Sequence, residues 1–79
     1  MASLPVPLNL EEHREFAREL QGAGARMREL CGVLVAVYGT DSRPAFTMRR
    51  AIEWIDNTRR EMQVQADRDI PGLAAGLYR

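Results

Sequence analysis

The chain contains no lysine, a single cysteine and a single histidine, and only five aromatic residues among its 79. Each shortage excludes something. With Cys31 alone there is no disulfide within the chain, and His13 without a second histidine or further cysteines cannot assemble a four-ligand zinc site. The aromatic residues are too few and too scattered for a base-stacking platform. The longest uncharged apolar run, "LCGVLVAVYG" from Leu30 to Gly39, is about half of the ~20 residues that a membrane-spanning helix needs. The start "MASLPVPLNL" lacks the basic and continuous apolar regions of a secretory signal, so the expected location is cytoplasmic.

The charges that are present balance, 11 arginines against 11 acids, so no net field draws the chain to nucleic acid or an anionic membrane. An all-arginine basic inventory is what a GC-rich, bacterial-type genome produces, and it carries no functional weight here. Length bounds the rest. A chain of this size hides only roughly 60 to 65% of its unfolded surface, and small scaffolds make up the deficit with disulfides, a metal or self-association. The first two are excluded, which leaves association.

Residues 1 to 8 alternate apolar residues with Pro5 and Pro7, a pattern that predicts an extended arm because proline fixes φ and disfavours helix in the residue before it. Asn9 with Glu12 three residues on reads as a capping box. From there His13, Phe16/Ala17, Leu20, Ala23/Gly24, Met27, Leu30/Cys31, Leu34 and Tyr38 recur at spacings of three and four, which predicts one helix over about 10–38 ending at Gly39. The glycines in "QGAGA" and the β-branched run "VLVAVY" weaken that helix, and a break at residues 22–24 stays open at this stage. "GTDSRP" predicts a turn in which Asp41 or Ser42 caps a second helix over about 43–68. Pro71 and Gly72 then end it, leaving a short C-terminal tail, 69–79.

The predicted fold is therefore all-α, a single-domain antiparallel two-helix hairpin spanning 1–79. Two helices alone leave the edge of each apolar stripe in water, so two hairpins are expected to associate as a four-helix bundle. In plan this resembles the small homodimeric Rop bundle, an architectural likeness that carries no function.

No catalytic, cofactor-binding or metal-binding residue set is predicted. His13 lacks the Glu-x-x-His spacing of a diiron bundle. Cys31 sits on the apolar stripe, where a thiol acts as a small hydrophobe. Arg49/Arg50 and Arg59/Arg60 suggest a phosphate-tracking ridge, but Glu53, Asp56 and Glu61 cancel most of its field. Arg59 is anomalous because it falls inside the second helix's apolar stripe; the expectation is a register-setting bridge to Glu19, with the small residues of "GAGA" making room. Near the turn the first helix is apolar almost all round, so Val33, Leu34, Val37, Tyr38 and Phe46 are expected to form an oligomer contact. A partner's Leu77 and Tyr78, or its Leu4 to Leu8 arm, would cover it. The functional expectation is a non-enzymatic interaction or regulatory module, partnered by itself and by other protein. A nucleic-acid-associated regulator and a small ligand-binding or enzymatic bundle are the alternatives.

Overall fold

The computed structural model describes residues 6–79, and the part of the expected arm that lies in residues 1–5 falls outside them. Two helices, α1 (Leu10–Tyr38) and α2 (Arg43–Asp69), form an antiparallel hairpin, with no strand among the described residues.

Both helix starts are built by local chemistry. Asn9 accepts from the Glu12 amide at 2.8 Å while the Glu12 carboxylate accepts from the Asn9 amide at 3.0 Å, closing the capping box. The acids Glu11 and Glu12 lie in the first turn, where the helix dipole favours them. Ser42, rather than Asp41, caps α2 through the Ala45 amide. Gly39 ends α1 at φ +95°, a region closed to side chains bearing a Cβ, and its amide reaches back to the Val35 carbonyl at 2.9 Å.

α1 runs unbroken through "QGAGA". At Gly24 a Cβ would meet the Ile55 side chain of α2 at 3.5 Å, an ordinary packing distance, and the movable Arg28 guanidinium of its own helix at 3.2 Å, so the two helices are in contact here without sterically requiring a glycine. Gly22 and Gly32 face open space. Replacing either by alanine removes only the entropic cost of glycine in a helix. Gly22→Ala and Gly32→Ala should each stabilise the fold by about 0.5–1 kcal/mol, measured as a higher urea midpoint at unchanged slope.

The interior is small and lies at the end of the hairpin away from the turn. Ala17, Ala66, Ala74 and Tyr78 are buried together, with Leu20, Met62, Ile70 and Leu77 packed around them. Ala74, Tyr78 and Leu77 belong to the tail. After α2 the chain makes successive turns, Leu73 to Ile70, Leu77 to Ala74 and Arg79 to Gly76, and returns over the start of α1. This corrects the expectation that Leu77 and Tyr78 reach a partner's turn: Tyr78 is buried in its own chain. Beside the core the tail meets its own apolar surface sooner than any other, since α1 begins where α2 ends.

Candidate functional site

Among the described residues the largest fully buried side chain is neither leucine nor phenylalanine but His13, at 0% exposure. It sits one turn into α1, facing the end of α2 and the tail. Its Nε2 lies 2.8 Å from the Asp69 carboxylate and its Nδ1 2.7 Å from the Tyr78 hydroxyl. The two rings stand edge to face with centroids 5.8 Å apart. Every group is satisfied when Nε2–H donates to Asp69 and the Tyr78 O–H donates to Nδ1. Asp69 accepts also from the Gln65 amide at 2.8 Å.

A second residue fastens the same tail. Gln63 on α2 donates through Nε2 to the Ala74 carbonyl at 2.7 Å and accepts through Oε1 from the Tyr78 amide at 2.9 Å. Arg59 donates through Nε to the Tyr78 carbonyl at 3.2 Å. No buried side-chain polar atom among the described residues lacks a partner, which is the condition for such a network to stabilise rather than strain.

Carboxylate, imidazole and hydroxyl in a row can serve as a proton relay to a nucleophile. Here the hydroxyl is enclosed, and burial, together with the Asp69 charge, pushes its pKa up rather than down. An activated nucleophile needs the reverse. What the arrangement does chemically is hold the tail against α1.

The same couplings set a pH window. The hydrogen bond from His13, then that from Gln65, hold the Asp69 carboxyl below its ordinary range against the opposing effect of burial. The stability it contributes is complete above about pH 4 and is lost as pH falls below that. Tyr78 is raised, so its contribution is complete below about pH 10 and is lost as pH rises further. In a Tyr38→Phe chain, where Tyr78 is the remaining phenol, phenolate absorbance should have its midpoint above pH 10. A midpoint below 10 would contradict the enclosed hydroxyl.

The other residues singled out from sequence are distributed as follows. Arg59 is bound to Tyr78 and lies 3.7 Å from Asp56, rather than paired with Glu19, which is exposed. The docked tail supplies the nearer acceptor, whereas the sequence reading offers the tail to a partner's turn end. Arg28 takes the other side of Asp56 with two hydrogen bonds, at 3.0 and 3.2 Å. Arg49 donates to the Thr40 carbonyl, Arg60 to Asn57, and Arg50 lies 3.9 Å from Glu53. Cys31 is a half-buried free thiol. Among the described residues no three histidine, cysteine or acidic side chains gather in a metal-binding group, and no helix is long and apolar enough to cross a membrane.

Val33, Val37, Tyr38 and Phe46 are all more than half exposed, while Leu34 is half-buried. They do not share one surface. Arg28 and Asp56 are rotated in the same sense from the line where the helices face each other, and they meet across one side of the hairpin. The opposite rotation places Phe16, Leu30 and Val37 of α1 on the same side as Ala51, Trp54 and Met62 of α2, while Val33 points directly away from α2. Phe46 falls on the Arg28 side, away from Val33 and Val37.

Comparison with protein-family models, with curated proteins and with solved structures gives no match.

Proposed function

We propose that the chain is a non-enzymatic interaction module that works as a homo-oligomeric helical bundle, two hairpins packing through the face that carries Leu30, Val37 and Trp54. The observation that carries this reading is an inversion of the usual burial. Among the described residues the buried apolar side chains are four alanines and Tyr78, whereas Trp54, Val33, Val37 and Phe46 are more than half exposed. A stable domain needs two packed layers, and a hairpin supplies one.

Area supports the same reading. A compact monomer of 8.9 kDa exposes about 4,800 Å², and this chain exposes 6039 Å². Even with residues 1–5 set aside at the full surface of unfolded chain, a surplus of about 700 Å² remains. A standard interface takes ~800 Å² from each partner.

The nucleic-acid reading has less behind it, because Arg49 is bound to the Thr40 carbonyl and Arg50 lies beside Glu53, so the two arginine pairs do not make one open phosphate-tracking ridge. Neither does the ligand-pocket reading gain support, since Gly24 abuts Ile55 and leaves no room beside it. Light-scattering mass across a dilution series is the test. The dimer mass should persist to micromolar concentration, and a chain that is strictly monomeric there would overturn the proposal.

A further inference from the structure

A cleft of about 650 Å³ lies between the α1–α2 seam and the docked tail, lined by Arg28, Asp56, Arg59, Arg60 and Arg79 together with Tyr78. Four guanidinium groups share this wall with one carboxylate. For a chain of zero net charge this is a local surplus of three positive charges.

The donors are arranged rather than merely numerous. Arg59 is fixed by its Nε bond to the Tyr78 carbonyl and keeps only 23% of its side chain exposed. Asp56 lies between Arg28 and Arg59 and occupies only part of each fork. Arg60 gives one nitrogen to Asn57. Among the described residues neither Arg60 nor Arg79 has a carboxylate partner, and the Arg79 stem lies against Gly76. Gln63 is no competitor for a ligand, since its amide is committed to the tail and to Asp67.

We propose that this cleft binds a divalent oxyanion of the phosphate class, taken by Arg59, Arg60 and Arg79. A single carboxylate would only duplicate Asp56. A phosphoryl group presents three oxygens and up to two charges, so it can accept from three guanidinium groups at once. The cleft's volume falls within the range of small-molecule sites, which leaves space for a group attached to the phosphate. Two of its walls, Tyr78 and Arg79, are present only while the tail is docked, so the ligand and the His13–Tyr78 contact should favour each other by linkage.

The test uses the full chain and inorganic phosphate as the probe, with chloride at matched ionic strength as the reference. At ten times its Kd, phosphate should raise the melting temperature by roughly 6 °C or more over chloride. The rise should be lost in the Arg60→Gln/Arg79→Gln double variant and kept in Arg18→Gln/Arg43→Gln, whose arginines lie outside the cleft. Equal rises in phosphate and chloride, or an unchanged rise in the first double variant, would overturn the proposal. Neither outcome is read from the oligomeric state, because each variant's shift in phosphate is compared with its own chloride reference at one protein concentration.

Discussion

Replacing Val37 and Trp54 by glutamate should halve the mass of the assembly at micromolar concentration while leaving the helical circular dichroism intact. Both side chains are about two-thirds exposed within the chain, at 64% and 66%. In an isolated hairpin their substitution therefore falls among surface changes, usually within about 0.5 kcal/mol. In a bundle packed through this face, four carboxylates would be drawn out of water, at several kcal/mol in total. Every 1.4 kcal/mol is about tenfold in Kd, so the dissociation constant should rise by roughly a thousandfold or more. Sedimentation equilibrium distinguishes the cases. An unchanged dimer would mean that another surface joins the copies, and Phe46, on the opposite side, would be the next to substitute.

The second large effect is expected at His13. Changing it to alanine removes the largest buried side chain and leaves the Tyr78 hydroxyl without its acceptor and Asp69 without its strongest donor. Cavity formation and unpartnered polar groups add, for a total on the order of 3–5 kcal/mol. That is most of what a chain of this size can spare. Tyr78→Phe keeps the ring and removes only the hydroxyl, so its cost should be smaller, about 1–2 kcal/mol. In a urea-denaturation cycle the double variant should be less than additive, because the two side chains share one interaction. Strict additivity would mean that the 2.7 Å contact contributes nothing of its own.

What could be read beforehand was local. The Asn9–Glu12 capping box, the turn at Gly39, a cap at Asp41 or Ser42 and both helix spans follow from residues within four positions of each other, where propensity and hydrogen bonding act without help from the rest of the chain. The three-and-four register through "QGAGA" also persisted, against a cost of roughly 2 kcal/mol for two glycines in a helix interior. His13 was legible as a residue on the core side of α1, but not as its centre. A buried imidazole needs partners, and Asp69 and Tyr78 stand 56 and 65 residues away. One weak signal existed: no residue near His13 on its own helix could satisfy it from within the core.

Arg59 shows the same division from the other direction. Its place in the apolar stripe was visible in the periodicity; its partner was not, because an arginine's long stem reaches acceptors on several elements and only the fold decides which is nearest. The docked tail placed the Tyr78 carbonyl there, leaving Glu19 in solvent.

By itself, then, the sequence determined two capped helices, the turn between them and a shortage of large interior residues that makes a lone hairpin a poor core. Those are consequences of i to i+4 geometry and of composition. Tertiary structure alone decided that the last ten residues fold back onto the start of α1, enclosing His13, engaging Arg59 and walling the arginine cleft. Successive turns have no periodicity to read, and where they settle depends on which surface the two helices leave open at the chain's own end.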